Sequence, residues 1–168
     1  MEIAVAIGFI VFSLFLLKKR PATMIPITVI YILAIIYLAF LTREPMPIYH
    51  FSIYPFGAAR RGLEFGGGVL SAILNGSVKV TNWGEIRSII LNILLFIPFG
   101  YLLPSLFPQL RWWQVIIFGF CSSLLIEVLQ LITRLGYADV DDLINNTLGA
   151  AIGWLLYRRI LKNNAPLC

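Results

Sequence analysis

Five apolar runs leave this chain little choice of fold class. They are Ile3–Leu17, Met24–Leu41, Ile86–Phe107, Trp112–Leu135 and Leu143–Leu161. A membrane-spanning helix needs about 20 predominantly apolar residues. The chain is 60% hydrophobic and only 12% charged, so the spans consume nearly all of its 168 residues. The fold expected is all-α, a polytopic transmembrane helix bundle of about five spans with a partly structured extracytoplasmic loop after span two. This composition excludes a soluble enzyme with a separate catalytic domain, a disordered chain, a coiled coil and a disulfide-stapled secreted module.

The first run has 15 residues and is followed, not preceded, by Lys18-Lys19-Arg20. That charge order is the reverse of a secretory signal, so the run reads as a retained span whose lysines reach outward to the headgroups. Residues 1–22 form this span and a basic cytoplasmic loop, and residues 23–165 form the main membrane domain, including an outer loop over 43–87. Lys18, Lys19, Arg20, Arg111, Arg158, Arg159 and Lys162 cluster at span ends on one side with no acid among them. Arg43, Arg60, Arg61, Lys79, Arg87 and Arg134 are spread over the other side among all eight acids but Glu127. The clustering places the N-terminus outside and the C-terminus in the cytoplasm of a multi-pass plasma-membrane protein.

The 43–87 loop contains Pro45, Pro47, Pro55 and Gly66-Gly67-Gly68, and its apolar spacing over Glu64–Leu74 suggests a short interfacial helix. The triple glycine has neither a preceding strand nor a following Lys-Ser/Thr, so it reads as a hinge rather than a phosphate loop. His50 is the single histidine, with no cysteine beside it, and no metal site is expected. Cys121 lies inside an apolar run and Cys168 ends the chain, so no disulfide is expected either.

The informative residues are polar ones inside the apolar runs, where a charge costs about 2.5–3.5 kcal/mol on insertion scales. Glu127, Gln130 and Arg134 are spaced by three and four and project from one helix face, with Glu127 about 10 Å deeper than Arg134. Asn92 lies about 7 Å below Arg87. The last span opens with Asp139, Asp141 and Asp142, followed by Asn145 and Asn146. All of these fall in the outer half of the membrane. Asp139 or Asp141 suits a helix cap. Gly149 and Gly153 make a small-residue groove for close packing against spans three and four. Pro98 frees the Leu94 carbonyl and is expected to kink span three, opening a cavity above the bend. Pro104 and Pro108 mark the cytoplasmic exit. A purely structural role remains open for these groups: Glu127 paired with Arg134 or Arg87, and the aspartates as caps.

The order and spacing of these residues are distinctive. The series Asn92-xx-Leu95-Phe96-Ile97-Pro98-Phe99-Gly100-xx-Leu103-Pro104, then Glu127-xx-Gln130, then Arg134-xxxx-Asp139-x-Asp141-Asp142-xx-Asn145-Asn146 and Gly149-xxx-Gly153 resembles the VanZ-like family of small bacterial membrane proteins. The resemblance is strong over 86–160. It implies a role in glycopeptide resistance, toward teicoplanin more than vancomycin, and it brings no catalytic residues with it. Teicoplanin carries an acyl chain that holds it at the outer leaflet, where a kinked polar cavity would meet it.

The expected function is therefore a binding protein rather than an enzyme. Its outer-leaflet cavity, formed by Asn92, Glu127, Gln130, Arg134, Asp139, Asp142, Asn145 and Asn146, would bind an amphiphile. That ligand is a lipoglycopeptide or a lipid-linked cell-wall intermediate, and the wider role is resistance or cell-envelope homeostasis. The alternative is an intramembrane enzyme on a lipid-linked or headgroup substrate, with Glu127 as general base and Asp141 or Asp142 as its partner or as transient metal ligands. Besides the lipid bilayer, no nucleic acid and no cofactor is expected. The sequence names no oligomeric state.

Overall fold

The computed structural model describes residues 21–45, 47–48, 51–65, 71, 74–136 and 138–163. The first run Ile3–Leu17, His50, the triple glycine and Cys168 lie outside the described residues.

The described chain is a helix bundle. Helix α1 spans Pro21–Ile36 and continues into a π-helical segment, Tyr37–Leu41. After an irregular stretch come β1 (Phe51–Ser52), the short helix α2 (Gly57–Gly62), β2 (Leu63–Phe65) and β3 (Val78–Val80). Three long helices follow: α3 (Trp83–Leu106), α4 (Trp112–Thr133) and α5 (Val140–Asn163), with β4 (Ala138–Asp139) just before the last. Met24–Leu41, Trp83–Leu106 and Trp112–Thr133 are long and apolar enough to cross a membrane. With 24 residues α5 is as long as α3, about 36 Å at 1.5 Å per residue. Its acids and asparagines make it less apolar.

Helix α4 shows the inverted amphipathicity of a membrane bundle. Val115, Gly119, Ser123, Glu127 and Gln130 are its buried face. The exposed face carries Ile117, Phe118, Leu124, Leu125, Val128 and Ile132. Small and polar groups point inward and the large aliphatic ones outward, toward lipid.

The most extensive interface is α3 against α5, and it is backbone on backbone. A Cβ added to Gly149 would meet the Ile93 carbonyl, one on Gly153 the Ile97 carbonyl, and one on Gly100 the Ala150 carbonyl. At the opposite end from the loop, Tyr31, Tyr101 and Leu102 pack with Ile27, Leu156 and Ile160. There the Tyr101 and Tyr157 rings meet edge to face at 5.8 Å.

Three expectations from the sequence are corrected. Helix α3 continues through both Pro98 and Pro104 and ends only at Leu106, so Pro104 does not mark the exit. Each proline removes a single donor from a helix packed along its length by α5. Beside Pro98 the Tyr31 hydroxyl donates to the Leu95 carbonyl at 2.7 Å, tying α1 to that turn. The proposed interfacial helix does not begin at Glu64. Leu63–Phe65 is a strand paired antiparallel with Val78–Val80, whose β-branched residues suit a ladder, and residues 66–70 and 72–73 lie outside the described residues. Helix α4 stops at Thr133, and Arg134 takes a left-handed conformation (φ 59°), its N–H donating to the Gln130 and Leu131 carbonyls. Arg134 therefore leaves the face shared by Glu127 and Gln130, and its side chain is exposed. The expected cap is present, and of its two candidates Asp139 is the one that makes it.

Candidate functional site

The site grows from the antiparallel seam between α4 and α5. A Cβ on Gly119 would touch Ala150. One turn toward the loop, Asn146 Nδ2 donates to Ser123 Oγ at 2.9 Å. A further turn on, the Asp139 N–H donates to Glu127 Oε2 at 2.9 Å. The inward stripe Ser123–Glu127–Gln130 thus runs along the side of α5 that carries Asn146 and is joined at Glu127 by Asp139 of β4. Helix α3 closes the third side, where Asn92 Nδ2 donates to Asp142 Oδ1. From α1, the Ala39 carbonyl accepts from Gln130 Nε2 at 3.1 Å. The π-helical turn that holds Ala39 packs against α4.

Burial is deep for groups this polar. Ser123 is 0% exposed, Gln130 2%, Asn146 5% and Glu127 7%. Asn145 and Asp142 are half-buried. Two amide oxygens, Gln130 Oε1 and Asn146 Oδ1, have no hydrogen-bond partner among the described residues. Leaving a buried acceptor unmatched costs about 1–3 kcal/mol, so the pair marks an uncompensated stretch of the seam.

The outer loop is latched onto this end of the bundle. Asp139 Oδ1 caps α5 by accepting from the Asp141 N–H at 3.0 Å. Asp141 turns the other way. Its Oδ1 accepts from the Phe56 N–H, and its Oδ2 from the Ala58 N–H at 2.6 Å, so one buried carboxylate holds the entry to α2. Phe56 takes a left-handed conformation (φ 62°) that aims both amides at this carboxylate. Strand β1 reinforces the latch by pairing in parallel with β4, Phe51 beside Ala138 and Ser52 beside Asp139.

Arg43 supplies the positive charge. It lies just beyond the π-helical segment with its guanidinium over Gly136, where an added Cβ would strike it. Its field attracts both Glu127 and Asp142, while the two carboxylates repel each other. A cation whose field reaches Glu127 is thus a loop residue that sequence spacing did not single out. Ser123 was also missed, although continuing the Glu127 stripe by four residues points straight to it. Because Arg43 is exposed, its attraction is partly screened. Arg43→Gln is expected to lower membrane abundance through a loss of about 1 kcal/mol, and Glu127→Gln in the same chain to restore it. Immunoblots of the single and double variants test this, and an additive loss would show that the two groups do not interact.

Chemically, the seam is rich in acceptors. It offers the carboxylates of Glu127 and Asp142, two carbonyl oxygens unmatched among the described residues, and the Arg43 guanidinium, beneath a latched loop. Residues 27–162, which contain every one of these groups, match the sequence profile of VanZ/LLP1 proteins. The chain belongs to the VanZ/LLP1 family. Protein VanZ of Enterococcus faecium is similar to it, 38% identical over 77 residues, which is 46% of this chain and 48% of that protein. The match thus spans about half the length of this VanZ relative. No solved structure matches the chain.

Proposed function

We propose that this VanZ-family chain is a multi-pass protein of the bacterial plasma membrane, with its N-terminus outside and its C-terminus in the cytoplasm. In this reading the polar seam of α3, α4 and α5 opens toward the outer leaflet and binds the polar part of an amphiphile. That ligand is a lipoglycopeptide such as teicoplanin or a lipid-linked cell-wall intermediate, and the outcome is glycopeptide resistance or envelope homeostasis. The observation that carries the reading is the set of buried Glu127 and Asn146 with half-buried Asn92 and Asp142, concentrated at one end of an otherwise apolar bundle beneath a latched loop. A group of this cost at one membrane face marks a ligand, ion or proton site more often than a structural knot.

The enzyme reading narrows to Glu127 and Asp142. Glu127 accepts from the Asp139 N–H and Asp142 from Asn92 Nδ2 at the same end of the seam, whereas both oxygens of Asp141 are engaged by backbone amides.

The test is expression of wild type and Glu127→Gln in a susceptible Gram-positive host, with inhibitory concentrations of teicoplanin and vancomycin read beside membrane abundance. Wild type is expected to raise the teicoplanin value at least fourfold and the vancomycin value little. Glu127→Gln is expected to lose most of that rise at equal abundance. A wild-type protein that accumulates but shifts neither drug removes the antibiotic from the proposal. A Glu127→Gln variant that keeps the full rise removes the seam.

A further inference from the structure

The depth reached by the loop after α1 follows from its pairing with the bundle. Helices α3 and α4 are about 36 Å and about 33 Å long at 1.5 Å per residue, against about 30 Å for a hydrocarbon core. Exposed Trp83 opens α3 at one membrane face and exposed Trp112 opens α4 at the other, as interfacial anchors do. The Asp139 N–H bonds Glu127, which lies six residues, or about 9 Å, inside the Thr133 end of α4. Between Thr133 and Asp139 the chain therefore descends into the membrane, and β4 descends with it. Strand β1 is parallel to β4, with Ser52 beside Asp139, so β1 descends too. The next turn is closed by the Gly57 N–H donating to the Tyr54 carbonyl at 3.3 Å, and it lies at or below the level of Asp139.

We propose that this turn, Ile53–Phe56, is a re-entrant wedge seated among the acyl chains of the outer leaflet, covering the seam from within the membrane. The inference rests on the multi-pass reading proposed above and not on any ligand. Two further observations fit lipid rather than water around the turn. First, Ile53, Tyr54 and Phe56 are 62–76% exposed and Pro55 between them is exposed as well, an apolar tip without a charge. Near the same depth α4 turns Val128 and Leu129 outward and α3 turns Ile90, so the tip continues a lipid-facing surface. Second, irregular backbone survives at membrane depth only where its polar groups are satisfied within the protein. From Pro55 to Ala58 every N–H is accounted for. Pro55 has none, Gly57 donates to Tyr54, and Phe56 and Ala58 donate to the buried Asp141 carboxylate. A turn in water needs no internal carboxylate, because water serves its amides. Exposed Arg60, one turn along α2, has the length to reach back to the headgroups.

The test is depth by spin label in the full chain, reconstituted in phosphatidylcholine vesicles with Cys121 and Cys168 replaced by serine. Labels at Ile53→Cys and Tyr54→Cys are compared with Leu125→Cys on the exposed face of α4 and Lys79→Cys on β3. Oxygen, which concentrates in the bilayer, and a neutral nickel chelate, which stays in water, each relax the label they can reach. Both tip labels are expected to give an oxygen-to-nickel ratio at least fivefold above Lys79 and within twofold of Leu125. Both tip positions are exposed, so neither change removes packing, and agreement between them excludes an effect of one label. On intact cells an impermeant thiol reagent is expected to modify Lys79→Cys at least tenfold faster than Tyr54→Cys.

Tip labels that read like Lys79 while Leu125 reads as lipid overturn the wedge and leave the spans standing. A water-like Leu125 overturns the membrane reading and the wedge with it. If the tip reads as lipid but Lys79→Cys is modified only after the cells are broken, the outer-leaflet placement and the proposed orientation fall together. Lipid-like tips in a chain that protects against no drug remove the antibiotic and leave the wedge in place.

Discussion

Gly153→Leu is expected to abolish accumulation of the folded protein. A Cβ at this position already meets the Ile97 carbonyl, Gly100 Cα and Tyr101 N, all of them α3 backbone. No rotamer change relieves a clash with backbone, so the two helices must separate. Separation here also parts Gly149 from Ile93 and Ala150 from Gly100, since all three contacts lie along one interface. Overpacking a well-packed core costs typically about 1–3 kcal/mol, and a backbone clash belongs at or above the top of that range. Against a typical net stability of about 5–15 kcal/mol, such a loss is severe. Leu155→Ala, two residues away on an exposed position, is the control and should leave abundance unchanged. Membrane immunoblots with the thermal midpoint in detergent decide the matter. Wild-type abundance and midpoint for Gly153→Leu would mean that α3 and α5 do not pack as described.

The legible part of this chain is the part governed by local rules. The second, third and fourth apolar runs coincide with helices to within a few residues, because run length alone dictates a span. The small-residue spacing of Gly149 and Gly153 falls where α5 meets α3, because only glycine lets two backbones approach so closely. Glu127, Gln130 and Asn146 stood out as polar groups in apolar surroundings, and all three are buried. Failure came where conformation depended on the end of a helix or on distant sequence. Arg134 fits the period of α4, yet the helix ends one residue earlier and Arg134 is its left-handed, exposed cap. Asp141 looks like a cap for the helix it opens, but its partners are amides 83 and 85 residues earlier in the chain. Arg43 reads as one more loop charge until the fold sets it over Gly136. Pro98 and Pro104 obey their local preference to break a helix only weakly, because packing along α3 outweighs one lost hydrogen bond at each.

The same long-range carboxylate gives the second large effect. Asp141→Asn should release the outer loop without unfolding the bundle. The carboxylate accepts two backbone hydrogen bonds, one on each oxygen. Asparagine keeps a single oxygen and turns an amide donor toward the other N–H, so one bond is replaced by a donor facing a donor. Hydrogen bonds to charged groups contribute about 1.5–3 kcal/mol each, and the remaining bond loses its ionic partner as well. A loss of about 3 kcal/mol in loop closure corresponds to about a hundredfold rise in the open population. The spans keep their packing of α3 with α5 and of α4 with α5, and only α3 gives up contacts, those it makes with α2. The expected result is rapid tryptic cleavage after exposed Arg60 and faster hydrogen exchange across residues 51–62, with exchange in α4 and α5 unchanged. Equal loop protection in variant and wild type would show that the strand pair β1–β4 suffices as the latch. Loss of protection in α4 and α5 as well would show that the loop is part of the bundle's core rather than its cover. Under the binding role proposed for the seam, a released cover exposes the acceptors beneath it. Asp141→Asn should therefore speed ligand entry and exit together, a kinetic signature that damage to the seam itself would not produce.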